Sequence, residues 1–436
     1  MDDDPELRIR WEWEPGRLVR TPEHDATWAR IEMSMGLDCL TLVEDRDSGS
    51  SRRSIFAPLY PLAEWAVYNW WFLLHHSRPA RPAPIRFPMS RRDRHCVRSA
   101  GDGFLWPNLR VVPEGRETRL HWERDRVFEE FAPIRYLTEG EAVLPTDRIE
   151  RALTHLITSV LDRLVEQGAT GTPLEKEWEA LNELGPDERE YCIAAAKLGL
   201  DPFAEADEHE AAIIEAAQRL PHEVLSNFFH AVDPRQILHA VDWITDATSE
   251  ASLLAGDPSD EIRLVRTALA SIPAIDTATP WQRGFRQARV ARQALGLGDE
   301  GRLDVGQYVP TGSRAGGDPR LQAVGVAPAN FARPAIVLDR VAGASSTRFI
   351  QGRALWHRLT KDESTFLITT SYTDLQKVER AFAAELLAPA EGIKIKLAVP
   401  PSEAVQEDLG SVAKHFGVSP ILIEHQIENQ ILGGRY

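Results

Sequence analysis

The segment from Arg348 to Pro389 constrains the fold of this chain more than any other part of its sequence. Phe349, Leu355, Trp356 and Leu359 recur near helical spacing with no proline among them, which predicts a helix over Ser345–Leu359. Thr365–Thr370 reads as a strand. Asp374–Leu387 reads as a second helix, with Phe382, Leu386 and Leu387 inward and Glu379 and Glu385 outward or capping. A strand at Ala335–Asp339 precedes all three. This order predicts a compact α+β unit in which Ile336, Trp356 and Phe382 bring their elements into mutual contact.

The first helix holds a frame with chemical meaning. Zincins carry H-E-x-x-H on such a helix. Two histidines reach the metal from one face, and the glutamate between them activates the bound water. Here the frame is Arg353-Ala354-Leu355-Trp356-His357, so the second histidine is present, the first is arginine and the glutamate is alanine. By themselves, a helical histidine is ordinarily a packed residue and an AFAAELL run an ordinary amphipathic helix. With Arg348-Phe349 before the frame and Ala381-Phe382-Ala383-Ala384-Glu385-Leu386-Leu387-Ala388-Pro389 after it, the segment resembles the ImmA/IrrE metallopeptidases. Members of that family show R-F-x-x-A-H-E-x-x-H, then a helix close to E-x-x-A-N-x-F-A-A-E-L-L-M-P. The resemblance covers the last third of the chain. It implies a zincin-like domain with a helix-turn-helix-like end, and it carries the third zinc ligand onto Gln376 and the asparagine onto Arg380. Two of three ligands and the general base are therefore replaced.

Losing a dication leaves any carboxylate that faced it buried without a partner, which is costly. Arg353 stands at the first ligand position and can pair with a carboxylate through its guanidinium fork. The expectation is that Arg353 and His357 share one helix face and that Arg353 reaches the second helix, with Glu379 the first candidate partner and Asp374 the second.

The remainder of the 436 residues divides by pattern. Residues 1–145 read as an α+β domain, with strands at Leu7–Trp13, Asn108–Val112 and Thr118–Trp122 and a hairpin broken near Gly36. Within it, IFAPLYPLAEWAVYNWWFLLHH is the most apolar stretch. Pro58, Pro61, Glu64 and Asn69 interrupt it, which argues for a buried helix around Trp65, Trp70 and Trp71 and against a membrane span. A basic island follows, with Arg91, Arg92 and Arg94 as an anion-binding candidate, or as a solvated loop paired with the protein's own acids. Residues 146–300 read as helical. Residues 301–326 read as a glycine-rich linker, since LGLGDEG and GSRAGGD match no phosphate loop. Residues 327–436 are the peptidase-like domain. Its last part, SVAKHFGVSPILIEHQ, has the turn of a helix-turn-helix but no Lys or Arg on the second helix.

The formal charge of −16 argues against broad binding to nucleic acid or anionic membrane. Cys39, Cys96 and Cys192 form no C-x-x-C, and the acidic start is unlike a signal peptide, so a cytoplasmic protein is expected. Without a base at Ala354 the expected role is non-catalytic, a protein-binding or regulatory subunit with no resident cofactor, and the resemblance implies a phage, mobile-element or defence context. Two other roles fit the same residues. One is a metallopeptidase with relocated zinc on His357 and Asp362, Glu363, Asp374 or Glu379. The other is a DNA-binding regulator using the basic island and the terminal helices.

Overall fold

The computed structural model describes residues 6–15, 21–76, 94–125, 132–273 and 279–433. They form a mixed α+β protein with several small sheets and many helices. Two compact units divide the chain, Met1–Asp207 and Glu208–Tyr436.

In the N-terminal unit, Leu7–Trp13 pairs antiparallel with Trp28–Met35, which also pairs with Ile55–Pro58. Val43–Asp45 lies between Ser50–Arg52 and Ile134–Tyr136. A third sheet joins Asn108–Pro113, Glu117–Glu123 and Gly140–Pro145. After Ile55–Pro58 the apolar stretch folds as two helices, Tyr60–Tyr68 and Trp70–His75. The break falls at Asn69, whose side-chain amide donates to Trp65 O at 2.8 Å and competes with helix continuation. Trp65, Trp70, Trp71 and Leu73 are buried in the core. Among the described residues no helix is long and apolar enough to cross a membrane.

The packing does not follow the boundary expected at residue 145. The helix Thr146–Glu166 buries Ile149, Leu153, Leu156, Ile157, Val160 and Leu164 in the same core as the strands before it. Leu174 and Leu181 of Pro173–Glu183, and Cys192 of Pro186–Lys197, join that core too. An apolar helical face must be buried, and these faces lie on the N-terminal unit. The helical middle is thus shared between the two units.

The C-terminal unit is built on a four-stranded sheet in the order Thr311–Ser313, Ala335–Leu338, Leu321–Val326, Thr365–Thr369. The first pair is parallel and the other two are antiparallel. Two of these strands come from the region 301–326, where a linker was expected. Its glycines serve close packing: a Cβ on Gly325 would fall 2.2 Å from the Phe366 ring, and one on Gly312 2.9 Å from Glu250 and Leu254. Every residue of Ala335–Leu338 and Thr365–Thr369 is buried, as in a strand covered on both faces.

Ile336, Leu338, Phe366 and Ile368 share one core with Leu355, Trp356, Phe382 and Leu386. The last four belong to the helices Ala344–Thr360 and Asp374–Leu387. These two helices meet at small residues, Gly352 against Ala383. A third helix, Pro280–Ala294, lies against the second one so closely that a Cβ on Gly284 would fall 2.4 Å from Val378 O. Further along come the helices Gln406–Phe416 and Pro420–Gln426, turned by Gly417 at φ 69°, and Ile427–Ile431 continues the second.

Candidate functional site

Arg353 and His357 stand one turn apart on the Ala344–Thr360 helix, and both project onto Glu379 of the next helix. Arg353 Nε donates to Glu379 Oε1 at 3.0 Å, and Nη2 donates to the same oxygen. His357 Nε2 donates to the other oxygen, Oε2, at 2.8 Å. The remaining guanidinium donors are also engaged: Nη1 reaches Gln322 Oε1 at 2.5 Å and Nη2 reaches Thr369 O at 2.8 Å. His357 Nδ1 faces Glu363 Oε2 at 3.1 Å, and the ring stacks on Phe366 with centroids 4.6 Å apart. The arginine, the histidine and Glu379 expose 1%, 1% and 0% of their surface, so this is a buried charge cluster.

Its electrostatics follow from who faces whom. Burial by itself would push the His357 imidazole down. The hydrogen bonds and charges of Glu363 and Glu379 outweigh it and raise the value above the ordinary 6.5. Burial would likewise push Glu379 up, yet Arg353 first and then His357 hold it below the ordinary 4.5. The cluster is therefore an arginine and an imidazolium clasping one carboxylate, with a second carboxylate at the rim.

Zinc, which the family resemblance implies, does not fit these residues. The guanidinium at the first ligand position lies on the carboxylate that would face a metal, and both nitrogens of His357 are turned to carboxylates as donors. Among the described residues no group of His, Cys, Asp and Glu side chains is arranged to hold a metal ion. Ala354 is buried and offers no base.

Gln376, onto which the resemblance carries the third ligand, stands apart from the cluster. Its carbonyl accepts from Thr373 N at 3.2 Å as part of a capping box, and its amide donates to Asn227 Oδ1 at 3.1 Å. Glu379, one turn further on, is the residue that meets Arg353 and His357. Asp374, the second candidate, begins the helix, whereas the hydrogen bonds of Arg353 go to Glu379, Gln322 and Thr369. Glu379 and Glu385 were expected outward or capping, and both are buried. Glu385 accepts from Arg289 Nε at 2.8 Å, Gln430 Nε2 at 2.7 Å and Gln426 Nε2 at 3.0 Å, partners too distant in sequence for helical periodicity to register.

Beside the cluster opens a cleft of about 690 Å³, lined in part by Arg353, Lys377, Arg380, Phe285, Phe349 and Ile421. Sequence reasoning missed Gln322, Thr369 and Lys377. Lys377 is buried, which its residue type did not signal in the sequence. Of the basic island, Arg91 and Arg92 lie outside the described residues. Arg94 faces Asp201 at 3.3 Å and Glu205 at 3.9 Å and sits 4.3 Å above the Phe72 ring, an intramolecular use of its charge. The three cysteines are buried and unpaired. No protein-family model matches the chain, and a comparison with curated proteins finds no match either.

Proposed function

We propose that this protein is a non-catalytic relative of the ImmA/IrrE metallopeptidases that acts in the cytoplasm by binding protein, as a regulatory subunit. One observation supports the reading: where the resemblance would put the metal lies an arginine–carboxylate–imidazolium cluster in which both oxygens of Glu379 are taken by Arg353 and His357. A hydrolytic zincin needs an open coordination position and a base beside it. Arg353 replaces a ligand such a site requires, and Ala354 leaves no base. The cluster ties the two helices as zinc would, without the Lewis acid. The buried, unpaired thiols of Cys39, Cys96 and Cys192 support a reducing compartment. The regulatory, mobile-element or defence setting rests on the family resemblance alone.

The test is metal content. Protein produced in zinc-supplemented medium and measured by plasma mass spectrometry is expected to hold far less than stoichiometric zinc, with no change on His357→Ala. Stoichiometric zinc lost in that variant would instead establish a relocated metal site and return the protein to the enzymes.

A further inference from the structure

Arg380 sits on the cleft side of the Asp374–Leu387 helix, half-buried. Its Nη2 donates to Thr369 O at 3.3 Å, the carbonyl that also accepts Arg353 Nη2 at 2.8 Å. Two guanidinium groups therefore crowd one oxygen. Glu379, the carboxylate whose charge acts on it, has both oxygens occupied by Arg353 and His357. Among the described residues Arg380 has no ion-pair partner, and a guanidinium carries five donors. Burial, and after it the Arg353 charge, push Arg380 down to about 10, so it remains a cation at neutral pH but an unfavourably placed one. A half-buried cation held against a second cation, with donors left for an open cleft, is the arrangement expected where an anion completes the site.

The surroundings narrow the anion. Lys377 lines the same cleft, with its ammonium 4.9 Å from the Tyr372 ring centre and 5.5 Å from that of Trp281. The other walls include Phe285, Phe349 and Ile421, the last 62% exposed. Such walls suit apolar side chains and leave a bare inorganic anion poorly covered. A polyanion such as nucleic acid would meet the field of a chain with formal charge −16. A peptide carrying one or two carboxylates among apolar residues satisfies both conditions.

We infer that the cleft binds an acidic peptide segment of a protein partner, with a carboxylate seated on Arg380 and apolar side chains packed against Phe285, Phe349 and Ile421. The choice of peptide rests on the protein-binding function proposed above, while the anion site stands on the geometry of Arg380.

A randomised library of dodecapeptides displayed on phage and selected against the full chain tests the inference. Enrichment of peptides that combine Asp or Glu with Leu, Ile, Phe or Trp is expected. Binding of the best of them, measured by fluorescence anisotropy, should weaken about tenfold to a hundredfold on Arg380→Gln, the range for a charge-assisted hydrogen-bonded pair. Glu428→Gln, which removes an exposed carboxylate from the cleft lining, should tighten the same peptide. Because Arg380 is crowded by Arg353, Arg380→Gln should melt no lower than the parent, so lost binding is not lost folding. Selected peptides without acidic residues, undiminished binding to Arg380→Gln, or no selected peptide at all would each overturn the inference. None of these results bears on zinc content, so the function proposed above stands or falls separately.

Discussion

His76 and His95 stack in the N-terminal unit with ring centroids 5.0 Å apart, and His76 Nδ1 lies 2.7 Å from His95 Nε2. His95 Nδ1 faces Val111 O at 2.8 Å and must donate there, so its Nε2 accepts from His76. His357 in the C-terminal unit also stacks on a ring, but a carboxylate stands at each of its nitrogens. All three imidazoles are desolvated, and their pKa values move in opposite directions. His76 is pushed down to about 3 by burial, then by His95 and Arg94. His95 is pulled down by burial, with Arg94 adding to it. His357 is raised. Burial sets the penalty for charge, and the facing partners decide whether it is overcome.

The most severe way to break the C-terminal arrangement is to remove Arg353. Arg353→Ala leaves Glu379 buried with His357 as its only hydrogen-bonded cation among the described residues and leaves Gln322 and Thr369 O without that donor. Breaking a buried pair from one side costs about 3–5 kcal/mol, and urea denaturation followed in the C-terminal unit should show a loss of that size. A loss under about 1 kcal/mol would mean that the cluster does not tie the two helices.

Acid sharpens the contrast between the units. For His357 the folded value lies above 6.5, so its contribution is fully present below about 6.5 and is lost as pH rises through the folded value. For Glu379 the folded value lies below 4.5, so its contribution is present above about 4.5 and is lost as pH falls through the folded value. Both therefore act fully between those limits. His76 has the opposite sign: between 6.5 and about 3 the unfolded chain binds the proton that the folded one refuses. Its contribution then falls by about 1.4 kcal/mol per pH unit on acidification. Hydrogen exchange, corrected for intrinsic rates, should show amides of Trp70–His75 losing protection from pH 6.5 to 5 while those of Asp374–Leu387 keep theirs. Parallel loss in both helices would show that the partners of His357 do not hold its charge.

The two sites were unequally legible in the sequence. Arg353 and His357 four residues apart had to share a helix face, and the cost of an orphaned carboxylate pointed to Glu379. Gln322 was invisible because its strand, Leu321–Val326, lies in a region whose glycines read as flexible. Gly312 and Gly325 in fact mark where side chains of other elements press on the sheet, a distinction made by partners far away in sequence. The same limit hid the burial of Glu385. In the N-terminal unit the strands near Leu7–Trp13, Asn108–Pro113 and Glu117–Glu123 and the apolar helical stretch could be read from pattern, but the strands Ser50–Arg52, Ile55–Pro58, Ile134–Tyr136 and Gly140–Pro145 could not. The His76–His95 pair could not, because nineteen residues separate it and only the fold brings the rings together. The change to helical pattern at Thr146 was legible, but a change of pattern is not a change of core.

The mildest perturbation asks how much of the His357 charge depends on each carboxylate. Glu363 keeps a quarter of its side chain in solvent and meets His357 Nδ1, whereas Glu379 is fully buried at Nε2. A rim carboxylate is screened by water and contributes on the order of 1 kcal/mol or less. Glu363→Gln preserves an acceptor for Nδ1 while removing its charge, so shape and hydrogen bonding change little. Loss of stability by about 1 kcal/mol or less is expected, with His357 titrating lower than in the parent but still well above His76. Histidine-selective NMR titration of both residues in one sample measures this directly, with His76 as the internal reference for burial without a carboxylate. Should His357 in this variant fall to the range of His76, the buried Glu379 would not be what holds the proton, and the rim residue would be the one that separates the two sites.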